Sequence, residues 1–250
     1  MLLRKHIGSA RIVDISQPGL ERIIQFELEH LDEMGDLCRK KLIVEIMGKH
    51  SNIIFCREDG TIIDSIKHVS AQVSSVREVL PGRSYFIPQT VAKENPLTVT
   101  QETFHQAVGS SSMSVQKALY SHLTGISPIM AEEICHLASI DSDYGASELS
   151  ETELLHLYHT FSLVMEDVKE GNFAPAIVFD EGGPVEYAAL SLTCYESGTY
   201  HSQSFRSMSR LLEEYYASRD TITRIRQKSS DLRRIVQTSL ERNYKKYDLQ

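Results

Sequence analysis

Lys49, His50 and Asn52 lie in GKHSN, a polar stretch at residues 48–52 flanked by the apolar runs LIVEIM and NIIF. All three can donate hydrogen bonds to phosphate or to base edges. They are equally suited to a solvated hairpin tip, since charged loop residues are usually exposed. GKHS resembles the end of a phosphate-binding P-loop. That chemistry needs a glycine four residues further back and a helix starting at the lysine. VEIM precedes the turn and a strand-like run follows it, so nucleotide hydrolysis is rejected.

A second candidate is SHLTGISPIMAEEI at residues 121–134. With Leu119 it fits LxxLxGIxPxxAxxI, the pattern of a helix-hairpin-helix. Gly125 permits the tight turn, Ile126 plugs the interface, and Ala131 allows close helix approach. Pro128 stands at the start of the second helix. Such a turn can hold a phosphate on its amides, with Ser127 where a second glycine often sits, or it can be purely architectural.

Other chemistry is poorly represented. The ten histidines include His156 and His159 on one predicted helix, with no HExxH or accompanying carboxylate at ligand spacing. Cys38, Cys56, Cys135 and Cys194 stand far apart without CxxC, as in reduced cytoplasmic proteins. No GxSxG or Gly-rich dinucleotide turn is present. The expectation is a protein that is not an enzyme, with no cofactor and no metal.

These residues sit in 250 positions carrying a net charge of −8. No run approaches the ~20 apolar residues of a membrane-spanning helix, and the start does not read as a secretory signal; no membrane partner is expected. Charge is uneven. Residues 216–250 hold nine Lys/Arg against four Asp/Glu, giving +5 and leaving −13 elsewhere, a pointer to a polyanionic partner for one region.

The elements that must position the candidates come in blocks, and the fold class is α+β. RIVDISQ, RIIQFELEH, LIVEIM, NIIFCRE and TIIDSI read as five strands of an antiparallel meander, with Asp59-Gly60 as a hairpin turn and Pro81-Gly82 as a type II turn. Helical periodicity follows, with Thr100 as an N-cap, Ser150 and Glu153 as a capping box, and Gly171 as a stop. PAIVFDEGGPVEYAALSL reads as a hairpin. From Met208 a helix with an apolar seam runs to the end as the first arm of a coiled coil. MLLRKHI reads as the tail of a helix begun upstream, so both ends look like cuts through a larger protein. The predicted divisions are 1–95 for the sheet domain, 96–170 for the helical module, 171–207 for the hairpin segment and 208–250 for the coiled-coil start.

In their order and spacing, MLLRKHIGSARI, QPGLERII, LIVEIMGKHSNIIF, DSIKHVS and VREVLPGRSY resemble the RqcH/FbpA (fibronectin-binding protein A) group of the NFACT family, similar to eukaryotic NEMF. LTGISPIMAEEI, FAPAIVF and RQKSSDLRRIV continue the resemblance over nearly the whole chain. It implies a truncated NFACT-N domain like the N-terminal domain of formamidopyrimidine-type glycosylases, a helix-hairpin-helix module and a coiled-coil start. It also implies a cytoplasmic ribosome quality-control factor. Such a factor binds tRNA, alanyl-tRNA in particular, and the stalled large ribosomal subunit through its RNA and protein, and promotes alanine tailing of nascent chains. The older label implies the alternative, a surface adhesin with fibronectin as partner. The family places an Asp-Arg pair at the tRNA; here Glu21 and Arg22 stand there, the acid one methylene longer. On that expectation Arg22, Lys49, His50 and Asn52 face RNA together, with Arg77 and Arg83 of REVLPGR nearby.

Overall fold

The structure, a computed structural model, describes residues 2–32, 34–87, 93–196 and 198–247, with the side chains of Arg226 and of residues 242–247 excluded. Of the basic tail read from sequence, Asp248 and the side chains of Arg226, Arg242, Lys245 and Lys246 therefore lie outside the described residues. The chain forms two compact units, Met1–Glu94 and Asn95–Gln250.

The first unit opens with a short helix, α1 (Leu2–Ile7), followed by β1 (Arg11–Ser16), β2 (Ile23–Leu31), β3 (Leu37–Glu45), β4 (Asn52–Arg57) and β5 (Ile62–Ser65). The strands lie in chain order as an antiparallel meander. Period-2 alternation sends Ile23, Ile43, Ile54, Cys56 and Ile62 to one face, where the segment after β5 folds back over them with Val69, Val79 and Tyr85. The predicted turns form: Gly60 and Gly82 both have positive φ (85° and 80°), the latter with Arg83 N–H donating to Leu80 C=O at 3.1 Å.

In the second unit, α2 (Gln101–Phe104) is followed directly by a π-helical turn, His105–Gly109. α3 (Val115–His122), α4 (Pro128–Leu137) and α5 (Glu151–Glu170) then enclose a core of Phe104, Leu119, Leu123, Ile134, Leu157 and Phe161. Thr100 caps α2, Ser150 and Glu153 form the reciprocal capping box of α5, and Gly171 closes α5 in the left-handed conformation. The hairpin read from residues 175–192 forms, and the following stretch YESGTYHSQSF, read as one more turn or strand, supplies a third strand. β6 (Ala176–Asp180) pairs with β7 (Gly183–Ala188) on one side and with β8 (His201–Ser204) on the other. α6 (Met208–Tyr247) packs Leu211 and Tyr215 against Ile177. Beyond that contact its seam residues Ile225, Leu232, Ile235 and Val236 are exposed.

Candidate nucleic-acid interface

An antiparallel meander brings alternate connections to the same end of the sheet. The β1–β2 connection, the β3–β4 turn and the segment leaving β5 meet at one end for that reason. Ile46 N–H donates to the carbonyl of Arg22 at 2.8 Å, tying the first two together. The β3–β4 turn is a single 3₁₀ turn over Gly48–His50. Gly48 has φ +57°, a left-handed conformation that a Cβ would strain, and Met47 N–H donates to Ser51 Oγ at 2.9 Å. No helix starts at Lys49, in keeping with the rejection of a P-loop. Arg22, Lys49 and His50 are all exposed, and Glu21 is half-buried beside Arg22.

Three expectations require correction. Asn52 is not a free donor. It is 7% exposed, its Nδ2 donates to Lys67 C=O, and its Oδ1 accepts from the N–H groups of Lys67 and Ile53, each at 2.9 Å. Arg77, with a side chain 12% exposed, is an internal strut: Nη2 donates to Glu45 Oε2 at 2.5 Å and Nη1 to Phe86 C=O at 2.9 Å. Its guanidinium also lies 5.5 Å from the Tyr85 ring centroid, and Tyr85 Oη donates to the other Glu45 oxygen at 2.9 Å. Burial, reinforced by that carboxylate, pushes the Tyr85 phenol well up. Arg83 is exposed but remote. Its carbonyl accepts from Ile62 N–H at the start of β5, about one strand length, roughly 20 Å, from the GKHS end. Its Nε pairs with Glu78 at 3.0 Å.

The cation that sequence reasoning passed over is Lys67, exposed in the segment after β5, whose Nζ donates to Lys49 C=O at 3.0 Å. It was visible in DSIKHVS, and the β4–β5 register was the signal that could have placed it. His68 Nε2 contacts Asp64 Oδ1 at 2.7 Å. That bond, with the Ser65 N–H, holds the Asp64 carboxyl below the usual carboxylate range. The sheet end thus carries exposed Arg22, Lys49, His50 and Lys67, with half-buried Glu21 beside Arg22 and Asp64 engaged by His68.

The helix-hairpin-helix turn is differently placed. Gly125 has φ +77°, Ile126 packs on the helical core and Ala131 is fully buried there. Ser127 caps α4 by accepting from Met130 N–H at 3.3 Å, and Pro128 follows it. Ile129 and Met130 pack beneath Val178, Ala188 and Leu192 of the second sheet region. The adjoining cleft is lined by Gln116, Pro128, Ile129, Glu132, Glu186, Cys194 and Tyr195. Beneath it Glu133, 2% exposed, accepts from Thr193 Oγ1 at 2.5 Å and Cys194 N–H at 2.9 Å. Among the described residues no ion pair neutralises Glu132, Glu133 or Glu186. Burial pushes the Cys194 thiol up to about 12, with Glu133 and Glu132 adding to the shift. A phosphate would meet this field unfavourably.

Among the described residues no group of three His, Cys, Asp or Glu side chains could hold a metal, and no helix is long and apolar enough to cross a membrane. The four cysteines are free.

The sequence matches, over residues 1–250, the profile described as NFACT N-terminal and middle domains. The chain belongs to the NFACT family. It is 34% identical to the Rqc2 homolog RqcH of Bacillus subtilis (strain 168), over 98% of this chain and 41% of that protein. It is 30% identical to the Rqc2 homolog RqcH of Streptococcus suis (strain 05ZYH33), over 98% of this chain and 40% of that protein. The chain thus spans about two-fifths of the length of the curated relatives it matches. Among solved structures, it superposes on the fibrinogen binding protein from Staphylococcus aureus with TM-score 0.69 and 28% identity, covering 86% of this chain and 73% of that one. The N-terminal part of the fibronectin/fibrinogen-binding protein from Streptococcus suis gives TM-score 0.63 and 32% identity, covering 87% and 71%.

Proposed function

We propose that this NFACT chain is the RNA-gripping part of a cytoplasmic ribosome quality-control factor. It engages tRNA, alanyl-tRNA in the full reading, on the stalled large ribosomal subunit and so promotes alanine tailing of the trapped nascent chain. In this role the protein positions substrates and does not itself make the peptide bond. The observation that carries the reading is the meeting of exposed Arg22, Lys49 and His50 at one end of a rigid sheet. Arginine offers a planar fork to phosphate or a stacking surface to a base, and lysine a point charge. The names of the relatives point the same way. With a net charge of −8, the chain as a whole disfavours indiscriminate RNA binding, leaving recognition to local patches such as this one.

The test is tRNA affinity of the full-length protein across a salt series. Arg22→Ala with Lys49→Ala should weaken binding and make the dependence of log K on log salt shallower, by about 0.7–0.9 for each phosphate no longer neutralised. Unchanged affinity and slope would reject the patch. A second reading, adhesion to fibronectin or fibrinogen, is favoured by the titles of the structural neighbours. Fractionation separates the two: co-sedimentation with large subunits supports the first, and protease-accessible display on intact cells the second.

A further inference from the structure

The register of the β4–β5 ladder, with Ile54 opposite Ser65 and Ile66 N–H donating to Ile53 C=O at 3.0 Å, places Asn52 opposite Lys67. That rung follows the bonded Ile53–Ile66 position, and an antiparallel ladder makes no backbone bond there. The Asn52 amide stands between the two backbones, donating to Lys67 C=O and accepting from Lys67 N–H. A primary amide carries its donor and its acceptor on separate atoms, so one short side chain meets both Lys67 groups at once. An acid here would set an oxygen against the Lys67 carbonyl, and alanine would leave the Lys67 N–H without this partner and the carbonyl with the Ser65 hydroxyl, which donates to it at 3.0 Å. Lys67 lies just past the end of β5, held to β4 by the Asn52 amide. From there its ammonium reaches the Lys49 carbonyl, which takes one of three ammonium protons and leaves two free to donate elsewhere.

We propose that Lys67 is a further nucleic-acid-contacting residue of the sheet end, and that Asn52 is its positioning residue, fixing the Lys67 ammonium beside the Lys49 turn so that both cations meet neighbouring phosphates of one RNA. This rests on the RNA-binding reading above. It explains why an asparagine is buried at the mouth of a cationic turn: its work is backbone geometry, and its effect on RNA passes through Lys67.

The experiment is tRNA binding by the full-length protein across a salt series, with unfractionated tRNA as probe and a urea midpoint for each variant. Lys67→Ala should weaken binding across tRNA species and reduce the salt slope by about one, while Lys67→Arg restores most of it. Asn52→Ala should shallow the slope although it removes no charge, and should add nothing once Lys67 is already alanine, because one residue acts through the other. If Asn52→Ala does not fold, Asn52→Ser takes its place in the same cycle. An unchanged slope in Lys67→Ala overturns the proposal, as does an Asn52 effect that persists undiminished in the Lys67→Ala background. Loss of binding in Arg22→Ala without loss in Lys67→Ala removes this inference and leaves the RNA reading standing. No loss in either removes both.

Discussion

The GKHS end of the first unit and the helix-hairpin-helix of the second both offer backbone amides at a tight turn, and their surroundings are opposite in sign. At the sheet end, the buried Glu45 carboxylate is enclosed by Arg77 and Tyr85, and the exposed side chains Arg22, Lys49 and Lys67 are cations, with Glu21 half-buried beside Arg22. At the α3–α4 turn, Ser127 already caps the helix, and Glu132 and Glu186 line the neighbouring cleft. The helix-hairpin-helix turn packs against the second sheet region, and the plainer polar turn carries exposed cations. A turn's amides select an anion only where the field around them agrees.

The largest expected effect sharpens the first half of this comparison. Glu45→Ala removes the carboxylate that Arg77 and Tyr85 share, leaving a largely buried guanidinium without its partner. A loss of about 3–5 kcal/mol in folding stability is expected by urea denaturation; a loss under about 1 kcal/mol would mean that Arg77 reaches solvent readily. Next comes the contrast itself. Arg22→Ala with Lys49→Ala should lower tRNA affinity with little change in the urea midpoint. Ser127→Ala should do the reverse, costing about 1 kcal/mol of stability because α4 is then uncapped and leaving tRNA affinity and salt slope unchanged. A fall in tRNA affinity for Ser127→Ala would break the comparison.

An effect confined to alkaline pH follows from titration. Burial pushes the Cys56 thiol up to about 11 and the Cys135 thiol up to about 12. With folded values above the unfolded ones, their contribution is fully present below the unfolded thiol pKa of about 8.5. It falls as pH rises, because the unfolded chain releases these protons first. Stability should therefore decline between about pH 9 and pH 12, a decline reduced in Cys56→Ala and Cys135→Ala, as followed by denaturation at each pH. The smallest effect expected is that of Glu132→Gln with Glu186→Gln, a slight rise in low-salt RNA affinity. A rise exceeding the loss in Arg22→Ala would show that the cleft faces RNA after all.

Much of this was legible beforehand where the signal is local. The five strands, the positive-φ glycines at 60 and 82, the Thr100 cap and the Ser150–Glu153 box all depend on residues within a few positions of one another. The candidate site was less so. Asn52 and Arg77 have side chains that suit RNA as well as they suit a fold, and only their partners distinguish the two uses. Those partners, Lys67, Glu45, Tyr85 and Phe86, are 8 to 32 residues away. β8 was blurred for a related reason. HSQS is exposed at all four positions, so its pairing with β6 rests on backbone bonds that leave no hydrophobic pattern.

Sequence alone determined most of the elements, their turns and the family, because hydrophobic period, glycine conformation and capping are short-range properties of covalent neighbours. The tertiary structure decided which polar side chains are left for a partner. Strand register brought Lys67 to the Lys49 turn, closed Arg77 onto Glu45 and carried Arg83 to the far end of the sheet. Hydrogen-bond donors are the same chemical groups whether they hold the fold or meet a ligand, and only their surroundings in space tell the two apart.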